Sequence, residues 1–360
     1  MSNRHDHRPK PRTDAGARTL DDRKAGRGGL RGHGDGGREQ SMVPRAEFRS
    51  YYGRAVLKPP VWEWKVPAYL FTGGLSAGSA LLAAGADLTA RPTLRRSGRI
   101  SALATLLAST YLLITDLGRP ARFHHMLRVA KPTSPMSVGT WILTAYGPGV
   151  GIAAASELLP GSVRRTVLGR LLHRAARPAG LSAAAVTPAL ASYTAVLLSQ
   201  TAVPAWHEPH RHLPFVFTGS AAASAGGLAM LLTPTSQAGP ARRFAALGAA
   251  TELAASRLME ERLGLVREAY TTGKARGLRK WAERLTAAGL LGTATAARRS
   301  RGVSMISGIA LLTGSLLQRL AIFDAGVEST RDPRYVVVPQ RQRLDSTTNK
   351  TTGQTDIRTT

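Results

Sequence analysis

The chain has 360 residues, with 49 Lys and Arg against 22 Asp and Glu, a formal charge of +27, and no cysteine. Without thiols it cannot form disulfides, run thiol catalysis or ligate an iron–sulfur cluster through cysteine. The charge first suggests nucleic acid, but it is gathered in tails and short links between long uncharged stretches, so no nucleic-acid partner is expected.

Residues 1–60 are basic and rich in Gly, with almost no apolar periodicity. Such a segment cannot bury enough surface to offset the entropy of ordering and reads as a disordered tail. No standard signal peptide is seen, because the first apolar segment follows some 65 hydrophilic residues. Five uncharged segments come next: Val66–Ala86, Ile100–Thr115, Val138–Ser156, Leu181–Trp206 and Leu213–Ala241. Their lengths are near the roughly 20 residues an α-helix needs to cross a bilayer. They are rich in Ala, Gly, Ser and Thr, the small residues that let membrane helices approach closely.

Phe244–Leu258, Trp281–Ala297 and Val303–Phe323 bring the number of candidates to eight. The first of these carries Glu252, and the sixth and seventh segments also fit a pair of amphipathic surface helices. The expected fold is all-α and polytopic, with about eight transmembrane helices in two four-helix bundles over 61–206 and 207–326. A polar tail follows over 327–360, disordered like the N-terminal one. Tyr69-Leu-Phe-Thr-Gly-Gly and Phe215-Val-Phe-Thr-Gly-Ser, opening the first and fifth helices, are a faint internal echo of two halves. With eight helices the termini share a side. The loops opposite hold Arg91, Arg95, Arg164, Arg165, Arg242 and Arg298 among others, so the positive-inside rule puts the termini outside.

All nine His lie in tails, loops or helix ends. Bis-His haem needs imidazoles projecting into a bundle, and adjacent His124 and His125 would point about 100° apart on a helix. Haem and a buried metal site are therefore not expected. Polar groups near helix ends remain. Trp62 and Trp64 read as interfacial anchors, with Glu63 between them a solvated acid. Tyr69 and Tyr193 fall inside helices, where a buried hydroxyl wants a partner; a backbone carbonyl would satisfy it. Asp116, at membrane depth, calls for a cation, with Arg119 and Arg122 as candidates. Pro120, Pro132 and Pro135 keep the link after it from becoming continuous helix. Between them a short surface helix would carry Arg122, His125 and Arg128 at headgroup level, a basic shelf suited to lipid headgroups or an acidic partner.

The link also carries a resemblance. Asp116-Leu-Gly-Arg-Pro-Ala-Arg-Phe123, then Lys131-Pro-Thr-Ser134-Pro-Met-Ser-Val-Gly-Thr-Trp141, resembles the membrane subunits of the NrfD/polysulfide-reductase type. Trp62–Phe71, Tyr193–Ser199, Pro204-Ala-Trp206 and Arg319–Gly326 follow in that family's order, so the match covers about residues 50–340. The resemblance implies a multi-pass subunit in the cell membrane of a prokaryote, with no haem or iron–sulfur cluster of its own. It would exchange electrons with a bound quinone, menaquinone or ubiquinone. Its partners would be an extrinsic four-cluster, ferredoxin-like iron–sulfur subunit and usually a molybdopterin catalytic subunit.

In the polysulfide-reductase branch, groups near the start of the first helix and a Tyr on the fourth hold the quinone. Tyr193 matches that Tyr. The branch's Asn and His fall at Val66 and Tyr69, a departure that leaves head-group binding open. On this reading Tyr69 and Tyr193 hydrogen-bond the quinone carbonyls, and Glu63 or Asp116 takes protons. Arg119, Arg122, His125, Lys131 and Ser134 belong to a docking or structural motif. Two alternatives stay open: a structural anchor without quinone chemistry, and a transporter or channel with Glu157 and Glu252 on its path.

Overall fold

The computed structural model describes residues 55–355, with side chains as far as residue 344. The tail expected over 1–60 thus lies almost wholly outside the described residues. Every regular element among them is helical. The long helices are α1 (Lys65–Leu88), α2 (Pro92–Asp116), α3 (Pro135–Leu158), α4 (Val167–Ser199), α5 (Leu213–Leu232), α6 (Gly239–Arg262), α7 (Gly273–Thr295), α8 (Arg301–Ser329) and α9 (Arg334–Thr355). A 3-10 segment, Pro120–Leu127, sits between α2 and α3, and single turns Pro204–His207 and Arg267–Thr271 occupy later links.

Six of these helices, α1 to α5 and α8, are long and apolar enough to cross a membrane. Charge explains the shortfall from the expected eight: α6 contains Arg242, Arg243, Glu252, Arg257 and Glu260, and α7 contains Lys274, Arg276, Arg279, Lys280 and Glu283. Several basic residues expected in loops are in fact helical. Arg95 and Arg99 are drawn into α2 by acids on its neighbours: Arg95 Nη1 lies 3.2 Å from Asp87 of α1, and both arginines lie 3.0 Å from Glu157 of α3. Arg177 of α4 joins at 3.6 Å from Asp87, so one charge cluster ties four helices together at that end.

Prolines in the first turn open α2, α3, α5 and α6, where the missing N–H costs no hydrogen bond. Interior prolines need compensation. Pro188 in α4 cannot bond the carbonyl of Ala184, and the Thr187 hydroxyl donates to that oxygen instead at 2.7 Å. The end of α5 is closed by Arg301, whose guanidinium donates to the carbonyls of Met230, Leu231 and Thr233 at 2.5–2.7 Å.

α1 packs on α2, α4 and α5; α3 pairs with α4, α6 with α5, and α8 with both α5 and α7. Small residues allow this. A methyl group at Gly78 of α1 would sit 2.6 Å from the Ala221 carbonyl and from Ala225 of α5, so the two central helices touch backbone to backbone. Large apolar side chains point outward instead, among them Leu107, Tyr111, Leu247, Leu291, Ile306 and Ile309. Apolar side chains turned outward around a core rich in Ala, Gly and Ser suit a lipid surrounding.

The polar segment after residue 333 differs from the expected disorder, since Arg334–Thr355 is helical. Ion pairs account for its start: Asp332 caps the Arg334 N–H at 2.9 Å and pairs with its side chain, Arg334 also reaches Glu268 at 3.3 Å, and Arg343 pairs with Glu208.

Candidate functional site

At the end of the molecule holding the start of α1 and the ends of α2 and α4, the helices enclose a cavity of about 130 Å³. Its walls are largely apolar, with Leu113, Leu143, Leu190 and Leu197 from α2, α3 and α4. Three of the sequence-selected polar residues line it together: Tyr69 of α1, Asp116 at the end of α2 and Tyr193 of α4. Ser109 is turned away from service as a free donor, because its hydroxyl bonds the Tyr69 carbonyl at 3.0 Å. The Thr194 hydroxyl also lines the cavity and is buried without a hydrogen-bond partner. An apolar cavity edged by hydroxyls and one carboxylate suits a mostly apolar molecule that carries polar groups.

The two tyrosines differ. Tyr193 donates its hydroxyl proton to the carbonyl of Pro135, the first residue of α3, so the partner foreseen as a backbone carbonyl is present. That leaves its oxygen able to accept a hydrogen bond from something in the cavity. The ring lies directly over Gly139, where any side chain would collide with it. No hydrogen bond to the Tyr69 hydroxyl occurs among the described residues, leaving both its donor and acceptor functions toward the cavity.

Asp116 forms no ion pair with Arg119 or Arg122 among the described residues; both arginines are exposed. The cation beside it is Lys65, whose Nζ donates to the Thr115 carbonyl at 3.2 Å and so also closes the end of α2. The geometry explains the difference from the expected pairing. Leu117 leaves the helix in an extended conformation, carrying Arg119 and Arg122 away, while Lys65 comes from the adjacent start of α1. Glu63 is exposed and does not line the cavity. Val66, at the position of the branch's Asn, is buried in a core cluster with Ala195, Leu198 and Trp206.

The 3-10 segment and its flanks roof the cavity through Met126 and Met136. Arg119, Arg122, His125 and Lys131 are exposed on this roof, and Ser134 is half-buried just before α3. Of the motif residues that fix the roof, Lys131 was expected in a docking or structural motif, whereas Ser137 and Trp141 were given no role of their own. The Lys131 N–H donates to Ser137 Oγ at 2.9 Å, Ser137 in turn donates to the Val129 carbonyl at 2.6 Å, and Trp141 Nε1 donates to the same carbonyl at 3.2 Å. Trp62 is more than the expected interfacial anchor. It lines the cavity and stacks on Trp206, with ring centroids 5.4 Å apart and planes 16° apart. Trp206 is fully buried and held by its N–H to the Ile322 carbonyl at 2.8 Å. The Pro-Ala-Trp run that carries Trp206 was the only sequence signal for that stack.

Among the described residues no group of three or more His, Asp or Glu side chains is arranged to hold a metal ion. These features define a polytopic, all-helical membrane protein with a polar-edged apolar cavity at the ends of its first four helices. Residues 55–253 match the family described as polysulphide reductase, NrfD, and the chain belongs to that family. It is 29% identical over 186 residues to the polysulfide reductase C subunit of Wolinella succinogenes, over 47% of this chain and 57% of that relative, so it spans little more than half the relative's length.

Proposed function

We propose that this chain is the quinone-interacting membrane subunit of a multi-subunit oxidoreductase in a prokaryotic cell membrane. It would pass electrons between the quinone pool and an extrinsic iron–sulfur subunit that serves a molybdopterin catalytic subunit. Family membership and the name of the Wolinella relative support the oxidoreductase assignment. The observation that carries the quinone assignment is the meeting of Tyr69, Asp116 and Tyr193 on one apolar cavity.

We further propose eight crossing helices in two bundles of four, 61–206 and 207–326, with 1–60 and 327–360 as tails. The matching pairings support this: α1 with α2 and α3 with α4 in the first half, α5 with α6 and α7 with α8 in the second. Outward-facing Leu247 on α6 and Leu291 on α7 also favour lipid contact for the two helices of marginal composition.

Quinol oxidation yields quinone, two protons and two electrons. The Tyr193 oxygen, its own proton committed to Pro135, is set to accept a hydrogen bond from a quinol hydroxyl. Tyr69 can donate to or accept from the other end. Asp116, in the wall of the same cavity, takes the two protons one after the other, and Glu63, exposed outside that wall, passes each to water. The electrons leave to the partner's cluster. The basic roof, with Arg119, Arg122, His125 and Lys131 exposed and Ser134 beneath, is the docking face for that partner.

The test is a fluorescence titration of the full-length protein in nanodiscs with a short-tailed naphthoquinone, since Trp62 in the cavity wall reports occupancy. Wild type is expected to quench saturably, and Tyr193→Phe and Tyr69→Phe to weaken it at least several-fold. Unchanged binding in both variants removes the tyrosines from the site. No saturable quenching in wild type favours the structural anchor.

A further inference from the structure

A second polar site lies in the other half of the molecule, away from the cavity. Glu252 of α6 and Arg319 of α8 are each only 2% exposed. Arg319 donates to the Phe217 carbonyl at 2.8 Å and stacks on the Phe217 ring at 3.5 Å from its centroid, yet its Nε and Nη1 have no hydrogen-bond partner. Glu252 receives one long hydrogen bond, from Ser315 at 3.5 Å, and makes no ion pair with Arg319 among the described residues. Two opposite charges so deeply placed, but neither joined nor fully bonded, are costly as pure structure. A structural pair would close.

The unpartnered atoms continue in one direction. Beside Glu252 runs a cavity of about 30 Å³, room for water, with Ser256, Thr286 and Gln318 in its wall. Thr286 Oγ1 is buried and unpartnered, as is Arg279 Nε farther along. The cavity reaches Glu260, Arg279 and Glu283, where Arg279 pairs with Glu260 and the exposed Arg257 lies 3.6 Å from Glu283. Around Glu252, then, α8 presents Ser315, Gln318 and Arg319, and α7 presents Arg279, Glu283 and Thr286. α6 adds Ser256, Arg257 and Glu260 along its own length. α5 presents no charge there, only Gly219 and Ser220.

We propose that Glu252 is a proton-binding site that exchanges with bulk water on the side of the α6–α7 link, through a hydrated path past Ser256, Thr286 and Gln318 to the Arg257–Glu283 rim. The carboxylate takes up one proton delivered along that path and becomes the neutral acid; Arg319 keeps its charge, held by the Phe217 carbonyl and ring. No electron transfer is involved, and the site does not depend on quinone binding in the first half.

The experiment is infrared difference spectroscopy of the full-length protein in nanodiscs during a pH titration, in H2O and D2O. Wild type is expected to show a protonated-carboxyl band that grows as pH falls, shifts in D2O and is missing from Glu252→Gln. If the glutamine variant does not fold, Glu252→Asp carries the same test and is expected to displace the band. Ser256→Leu, which fills the cavity wall, should keep the band but slow its deuterium exchange at least tenfold. A carboxyl spectrum identical to wild type in Glu252→Gln, or unshifted in Glu252→Asp, overturns the site. Unaltered exchange in Ser256→Leu overturns the path. None of these results touches the quinone titration, so the two readings fail separately.

Discussion

Ser137→Ala tests the reading of the central motif as a staple rather than a chemical group. Ser137 Oγ both accepts from the Lys131 N–H and donates to the Val129 carbonyl, at 2.9 and 2.6 Å, so one hydroxyl holds two backbone groups of the cavity roof. Each such bond contributes roughly 0.5–1.5 kcal/mol net. Lys131 and Val129 are exposed, so water replaces part of what is lost and the full burial penalty does not apply. The two bonds together give about 1–3 kcal/mol of local stability, or roughly 5- to 150-fold in the opening equilibrium. Amide hydrogen exchange measures this directly, because the Lys131 N–H is itself the donor. In nanodiscs, peptides covering 128–134 should exchange about 5- to 150-fold faster in Ser137→Ala, while peptides from the middle of α1 stay unchanged. Trp141→Phe removes one of the two bonds to Val129 and should give a smaller acceleration. Equal exchange in wild type and Ser137→Ala would refute the staple.

Other substitutions probe separate features. Gly139→Ala drives a methyl into the Tyr193 ring and should weaken naphthoquinone quenching at least as much as Tyr193→Phe, with the protein still folded by circular dichroism. Arg301→Ala removes three charge-assisted bonds to the end of α5 and should lower stability by about 2–4 kcal/mol after allowing for its partial exposure, read as an earlier thermal transition. Arg301→Lys keeps the charge but not the fork, and should recover little. Burial pushes the Tyr270 phenol above its ordinary range while it donates to the Ala205 carbonyl at 2.5 Å. A raised folded-state value means its contribution is whole below ~10, the unfolded value, and is lost as pH rises beyond it. Tyr270→Phe should therefore flatten the alkaline limb of a stability–pH profile.

Helix positions were legible because uncharged runs and link prolines are local signals. The cavity was half legible: Tyr69, Asp116 and Tyr193 stood out as polar groups near helix ends, and they do line one space. What failed was pairing. Asp116 sits beside Lys65, not the arginines three and six residues on, because an extended Leu117 separates neighbours in sequence while α1 brings up a distant one. Ser137 stood in the quoted motif with no role assigned, and its role depends on the link folding back over α3. Arg319 was noted only as part of a final-helix motif; nothing local tells a buried arginine from one at a helix end. Arg343 and Glu208 show the same limit, since charge that reads as disorder in a tail becomes an anchor once a partner lies within reach.

The first and fifth helices open on echoing segments that differ in detail. Position by position, Tyr69 answers to Phe215, Gly73 to Gly219 and Gly74 to Ser220. Gly73 lines the cavity, whereas a methyl at Gly219 would lie 2.6 Å from the Glu252 backbone nitrogen, so the second half closes where the first stays open. The exchange of Tyr69 for Phe215 removes the hydroxyl at the corresponding helix start. There α5 lies close on α6, and the narrow polar cleft runs beside Glu252. Gly74 sits between the two regions, with Arg319 Nη2 3.3 Å from where its methyl would be. A methyl there crowds both Arg319 Nη2, the donor to the Phe217 carbonyl, and Ala221 of α5, each 3.3 Å away. A substitution at Gly74 should therefore disturb the infrared signature of the second half more than quinone binding in the first, while one at Gly73 should do the reverse.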